Sequence, residues 1–190
     1  MLRYILFVFP LLFAVAGLAQ PFTVAGVVQA SNGEAIGSMT IELLAADGSV
    51  ISSALVACNG QYTFSGLESG VDYSLRLDKE NSSPYNGVST FDLVLISKHM
   101  LGTQLFSNPY SIAAADVDES GTVSITDVMI IRSVIYAQTS VLPGQNWLFF
   151  SEGNTQSATE FPITLTADML NFNFIGVKKA DVNNSANNCE

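Results

Sequence analysis

Five runs in which apolar and polar residues alternate follow one another after residue 20: FTVAGVVQ, MTIELLA, SVISSALV, GQYTFSGL and VDYSLRLD. A period of two puts every second side chain on one face, the mark of strands with one buried side. The breaks between them, SNGEAIG, ADG, CNG and ESG, carry the Gly, Asn and Asp that tight turns need. Breaks at such regular spacing predict a small antiparallel sandwich over residues 22 to about 79. KENSSPYNG (79–87) is a turn-rich boundary, too short to be a free linker. Beyond it the period changes. Leu93, Ile96 and Met100, and again Val128, Ile131 and Ile135, are spaced three and then four apart, which makes one buried helix stripe in each segment. Gly102 can cap the first helix, Asn108-Pro109 can start a short one leading to Asp116, and a last helix is expected from about Thr126 to Gln138. The expected fold class is an all-β sandwich followed by an α-helical domain.

Between the last two helices lies DVDESGTVSITD, Asp116 to Asp127. As a twelve-residue calcium loop it places Asp116, Asp118 and Ser120 at positions 1, 3 and 5, and Gly121 at 6 for the sharp turn. Thr122 at 7 offers a carbonyl, Ser124 at 9 can hold a water, and Asp127 closes the shell at 12. Val123 at 8 anchors the loop inward. Hard oxygen donors at alternate positions suit a cation that takes six to eight oxygens and do not suit a soft metal. The usual loop of this type ends in a bidentate Glu; here the shorter Asp ends it.

The Asp ending followed by an apolar helix resembles the dockerin family, calcium-folded modules that plug into cohesin domains. The resemblance implies two loop-plus-helix units with an EF-hand-type loop in each. NGVSTFDLVLISKHMLG (86–102) aligns with GTVSITDVMIIRSVIYA (121–137) without a gap, so that Val88, Ser89 and Asp92 match Val123, Ser124 and Asp127. The front of this first loop is missing, because NSSPY upstream has no acidic residue in register. A matching segment stands near the far end of the chain, where KADVNNS (179–185) echoes AADVDES (114–120). Asp181, Asn183 and Ser185 have the spacing of positions 1, 3 and 5. Joined to NGVSTFD they give a complete twelve-residue loop, with Asn86 at position 6, Gly87 at 7, Ser89 at 9 and Asp92 at 12. The expectation is a circularly permuted dockerin-like pair binding two Ca2+ ions, the second at a site split between residues 87–92 and 181–185.

Residues 22–79 carry a second resemblance, to carboxypeptidase regulatory-like (transthyretin-like, Cna-B-like) domains of carbohydrate-binding-like fold. It rests on Gly26-Val27-Val28, Gly33 through Gly37, Asn59-Gly60-Gln61-Tyr62-Thr63-Phe64, Gly66-Leu67, Gly70 and Tyr73. These motifs are structural. Tyr62, Phe64 and Tyr73 are either a sugar-stacking platform or, as their alternation favours, core residues. Residues 139–180 exceed a minimal dockerin and are aromatic, with Trp147, Phe149, Phe150, Phe161, Phe172 and Phe174. They read as an irregular or β excursion, with Phe172, Phe174 and Gly176 alternating like a strand, that covers apolar helix surface and returns the tail to the first repeat, the alternative being a glycan site centred on Trp147. The division expected is therefore 1–19, 20–79 and 80–190, with the excursion at 139–180.

The opening MLRYILFVFPLLFAVAGLAQ has one basic residue, Arg3, then an apolar run, with Gly17 and Ala19 as a small-x-small cleavage site before Gln20. It reads as a signal peptide, too short for a membrane span, and implies a secreted or cell-surface protein with no membrane insertion after its removal. Losing Arg3 takes the formal charge from −10 to −11. Such acidity argues against nucleic acid and anionic membranes as partners. Cys58 and Cys189 suit an oxidising compartment, either as a bridge or as free thiols. No phosphate loop, zinc spacing or serine elbow is present, and the only histidine, His99, lies on a helix without a nucleophile motif. The expected function is non-catalytic, calcium-dependent docking to a cohesin-like or neighbouring domain in an extracellular polysaccharide-processing or adhesion protein. The alternative is a calcium-stabilised stalk or carbohydrate-binding module. The dockerin resemblance implies partner contacts from Thr90, Phe91, Ser97 and Lys98, and from Ile125, Thr126, Arg132 and Ser133.

Overall fold

The computed structural model describes residues 21–79 and 82–190; the expected signal peptide (1–19) and the new N-terminus at Gln20 lie outside them. The five alternating runs are five strands: β1 (Phe22–Ala30), β2 (Met39–Ala45), β3 (Val50–Val56), β4 (Gln61–Leu67) and β5 (Asp72–Asp78). The helical segments are α1 (Thr90–Met100), α2 (Pro109–Ala115) and α3 (Ile125–Ile135), followed by β6 (Trp147–Ser151), β7 (Glu160–Thr164) and β8 (Phe174–Lys178). The last helix ends three residues before the expected Gln138, because Ala137 takes a positive φ of 52° and the chain turns away. Asn108 accepts from the Tyr110 amide and Pro109 opens α2, as the cap pattern predicts.

Two four-stranded sheets face each other, in the orders β4-β1-β8-β6 and β3-β2-β5-β7. Strands from the 139–180 segment thus complete both sheets: β7 pairs antiparallel with β5, and β8 lies parallel to β1 with Val28 opposite Phe174. The expected cover over the helices is present, but on one face only. Leu148, Phe150, Ile175 and Val177 pack with Ile96, Ile131 and Val134 of the helices. On the opposite face Trp147, Phe149 and Phe174 join Val28, Ile41, Leu75 and Phe161 in the sandwich core. A strand covered on both faces loses its alternation and becomes continuously apolar, which is the character of WLFF and FIGV. Trp147 is 2% exposed, and Tyr62, Phe64 and Tyr73 are likewise buried, so none of them forms a surface platform. In the helix stripes Ile96 and Ile131 are fully buried, whereas Met100 is 40% exposed where α1 ends.

Cys58 and Cys189 form a disulfide with Cα atoms 5.4 Å apart, closing a connection across 131 residues. Of the two alternatives open in the sequence, the structure shows the bridge. It pins the tail to the β3–β4 turn. The amide of Gly37 donates to Asn188 O (3.0 Å), and Lys79 Nζ donates to Gly37 O and Glu190 O (both 2.7 Å). His99 is structural: its Nδ1 accepts from the Phe106 amide at 3.0 Å and its ring stacks on Phe106.

Since Phe150 is 1% exposed and joins β6 to the helices, Phe150→Ala should cost about 3–5 kcal/mol in chemical denaturation. Hydrogen exchange should show the loss first in α2 and α3, and protection unchanged in those helices would refute the shared-strand account.

Candidate metal centre

The intact loop is built between two helices. α2 delivers the chain to Asp116 and α3 begins immediately after Ser124, its N-cap. Glu119 and Gly121 take positive φ, 56° and 86°, so the chain curls around the Asp116 carboxylate. Asp116 Oδ1 accepts from the Ser120 amide (3.0 Å) and Oδ2 from the Gly121 amide (2.8 Å). Ser120 Oγ bridges toward the carbonyl of Thr122 (3.2 Å), so positions 1, 5 and 7 converge. Asp127 is fully buried at the third position of α3. Its Oδ2 accepts from the backbone and hydroxyl of Ser124, completing a capping box, while Oδ1 accepts from the Asp118 amide at 3.3 Å. The short Asp in place of Glu at position 12 therefore also serves as a helix cap.

Asp116, Asp118 and Asp127 bring one carboxylate oxygen each to within 4.8 Å of one another. Burial holds the Asp116 carboxyl above its ordinary value against the pull of the Gly121 and Ser120 amides. The Ser120 hydroxyl draws Asp118 below its own. Three carboxylates, with the Ser120 hydroxyl and the Thr122 carbonyl beside them, make an all-oxygen donor set, which fits a hard divalent cation with a large, flexible shell. Asp116, Asp118, Ser120, Thr122 and Asp127 are the residues that would hold it, with Ser124 placed at the rim.

The tail repeats this arrangement against α1. Ser185 N donates to Asp181 Oδ1 at 3.0 Å and Ala186 N to Asp181 Oδ2 at 2.7 Å, the counterparts of the Ser120 and Gly121 bonds to Asp116. Ser185 Oγ donates to Gly87 O at 2.9 Å, as Ser120 does to Thr122. Ser89 caps α1, and Asp92 completes the capping box with Oδ2 while Oδ1 accepts from the Val182 amide at 3.0 Å. Burial raises the Asp92 carboxyl above its ordinary value. Asn184 has φ 55°, matching Glu119 at the fourth position. The two halves, about a hundred residues apart in sequence, are in direct contact. Asn183 is exposed beside them.

One detail departs from the spliced register. Position 6 is filled by the Ala186 backbone and not by Asn86, which is absorbed in a clasp on Asn187: its Nδ2 donates to Asn187 O and its Oδ1 accepts from Asn187 N. Because the loop is made of an internal segment and the tail of the same chain, each continues past the junction, and an uninterrupted splice cannot represent that. Gly87 (φ 74°) is where they cross. A Cβ there would lie 2.6 Å from Ala186 N and 2.7 Å from Asp181 Oδ2.

Two buried lysines that the pattern did not flag link the loops. Lys179, fully buried, donates to Glu119 Oε1 and Pro143 O, both at 2.7 Å, and so ties the tail to the fourth position of the intact loop. Lys178 donates to Pro84 O (3.3 Å), and burial pushes its ammonium down to about 8 against the attraction of Asp181. The Ala180 amide donates to Ala114 O (2.8 Å), setting the two loop entrances side by side. A lysine next to a loop carries no periodic signal of such a reach.

The outer surfaces of α1 and α3 carry exposed apolar side chains: Phe91, Val94 and Leu101 on the first, Ile125, Met129 and Tyr136 on the second. Arg132 lies over the Tyr136 ring at 5.3 Å. Among the described residues no helix is long and apolar enough to cross a membrane.

Comparison with known proteins bears on this part of the chain. No curated protein matches the chain. Residues 86–135, from the first half-loop through α3, match the family model of the Dockerin type I domain, so this segment of the β-rich fold is similar to a calcium-dependent docking module.

Proposed function

We propose that this protein is an exported, non-catalytic module that binds two calcium ions and uses the helices they organise to dock onto a cohesin-like domain or a neighbouring domain. The observation that carries the reading is the convergence of Asp116, Asp118 and Asp127 oxygens within 4.8 Å, in a segment that matches the Dockerin type I model. The second ion is assigned to Asp181, Asn183, Ser185, Gly87 and Asp92, with Ser89 at the rim. Support for it is the matching pair of amide bonds to Asp181 and to Asp116 and the matching capping boxes of Asp92 and Asp127, although Asp92 takes its loop amide from the second position (Val182) and Asp127 from the third (Asp118). A cation shared by both halves would offset the cost of holding a tail against a turn far upstream, a cost that grows only logarithmically with the length of the connection. The extracellular setting is supported by the leader-like opening sequence and by the Cys58–Cys189 bridge.

The two docking faces differ. α1 offers Phe91, Val94 and Lys98, whereas α3 offers Ile125, Met129 and Arg132. A partner would therefore distinguish them.

Calorimetry should count two calcium ions per chain, both preferred over magnesium. Asp116→Ala should abolish one, and unchanged uptake in that variant would refute the intact site. Asp92→Ala, Asp181→Ala and Gly87→Ala should each abolish the other ion while leaving the Asp116 loop loaded. Two ions surviving in all three variants would refute the split site.

For docking, Met129→Lys should weaken calcium-dependent capture of a cohesin-type domain by tenfold or more, the order lost when a central contact worth about 1.4 kcal/mol is removed. Calcium stoichiometry should stay the same. Capture that is indifferent to both Met129→Lys and Val94→Lys would place the docking face elsewhere.

A further inference from the structure

Beyond Asp181 and Val182, which are buried, the tail reads NNSANNCE (183–190). It contains no large apolar residue, and Ala186 is its one buried position. Hydrophobic burial therefore contributes little to holding it. What holds it is polar and covalent. Ser31 Oγ donates to Asn184 Oδ1 (3.1 Å), Ser38 Oγ to Cys189 O (2.9 Å) and Asn188 Nδ2 to Glu34 Oε2 (3.2 Å), at exposed or partly buried positions where water competes. The Cys58–Cys189 bridge is the covalent restraint.

This stretch also carries the front of the split loop. Ser185 and Ala186 supply the amides that wrap Asp181, and Ser185 Oγ donates to Gly87 O. Asp181 itself lies buried just past the end of β8, and Asp92 lies buried in α1. The bridge thus fixes the second end of a short stretch whose first end β8 already fixes, with the third, fifth and sixth loop positions between. Gly37 forms the seat for the bridged end. Its amide donates to Asn188 O, and it sits so close to the Ala57–Cys58 backbone that a Cβ there would lie 2.4 Å from Ala57 O. A stretch tethered at both ends has fewer conformations to lose on closing around an ion than one tethered at a single end. Solvent reaches the tether, for Cys58 is exposed on the β3–β4 turn and Cys189 is half-buried.

We propose that the Cys58–Cys189 bridge is a redox control on calcium at the split site, and that calcium bound there in turn protects the bridge from reduction. The inference rests on the split-site reading above. A dithiol reductant supplies two electrons and two protons. One of its thiolates attacks Cys58 Sγ, and the Cys189 thiolate leaves and takes up a proton. The second thiolate of the reductant then displaces Cys58 from the mixed disulfide, so that the dithiol ends as a disulfide and the chain carries two thiols. With the bridge open, residues 183–190 are held by hydrogen bonds alone, and Asn183, Ser185 and the Ala186 amide lose their fixed place around Asp181. Asp92 and Asp181 stay where α1 and β8 put them, so the site is weakened and not erased. The Asp116 loop lies outside the tethered stretch and keeps its affinity. Linkage makes the effect reciprocal: the factor by which reduction lowers calcium affinity is the factor by which calcium opposes reduction.

The test is calcium calorimetry on the whole chain, oxidised and then reduced with dithiothreitol, with the reduction equilibrium measured in a dithiothreitol redox buffer with and without calcium. Reduction should lower the affinity for one of two ions by about tenfold or more and leave the other unchanged. Cys189→Ser should show the same loss without any reductant. Saturating calcium should shift the reduction equilibrium by the same factor, about 30 mV per tenfold for a two-electron couple. That shift should persist in Asp116→Ala and vanish in Asp92→Ala. Two affinities indifferent both to reduction and to Cys189→Ser overturn the linkage and leave the split site standing. A single ion in the oxidised chain overturns the split site, and the linkage with it. Loss of both ions on reduction also overturns the proposal, since the bridge would then support the whole fold. So does a calcium shift that survives in Asp92→Ala and disappears in Asp116→Ala.

Discussion

Burial of β8 on both faces is the constraint from which the rest of this architecture follows. Phe174 enters the sandwich core while Ile175 and Val177 enter the helical one, and β1 and β6 flank the strand on either edge. Such a strand is stable only with both partners in place, since removing either would expose an apolar face. The helical segment is therefore not an appendage of the sandwich. It supplies the second wall for two strands that the sandwich needs to complete its sheet.

The same strand ends at Lys178, three residues before Asp181, and so it aims the tail at α1. From there the tail is held by backbone donors to carboxylates, by the Asn86–Asn187 clasp and finally by the disulfide to Cys58. Two kinds of restraint act together. The covalent bridge limits how far the unfolded tail can wander, and the carboxylates of Asp92 and Asp181 gather amide donors that would otherwise be unpaired. Negative charge is concentrated where the chain folds around it, and this makes each loop a structural corner.

Asp92 and Asp127 show how economical that arrangement is. Each carboxylate caps a helix with one oxygen and turns the other toward a loop amide. Lys179, buried and bonded to Glu119, joins the two loops directly, so that they share one electrostatic environment.

Much of this was legible in local pattern. Alternation located β1 to β5, the three-four spacing located α1 and α3, and ligand spacing singled out Asp116–Asp127 and matched Asp181–Ser185 to the back of an incomplete loop. These features are written in residues close together, where periodicity and turn chemistry act without reference to the rest of the fold. Contact between the two half-loops could be expected from register alone, because identical spacing implies identical turns. What only the tertiary structure decided lay in segments whose environment is made by distant neighbours. WLFF has no period to read, since both of its faces are covered, and the alternation of Phe172, Phe174 and Gly176 points to a strand without saying which sheet it joins. Position 6 passed from Asn86 to Ala186 because the tail and an internal segment overlap where a splice assumes one continuous strand. The pairing of Cys58 with Cys189, and the reach of Lys179 to Glu119, depend on where β8 delivers the tail, and that is set by two packed cores and not by any residue beside them.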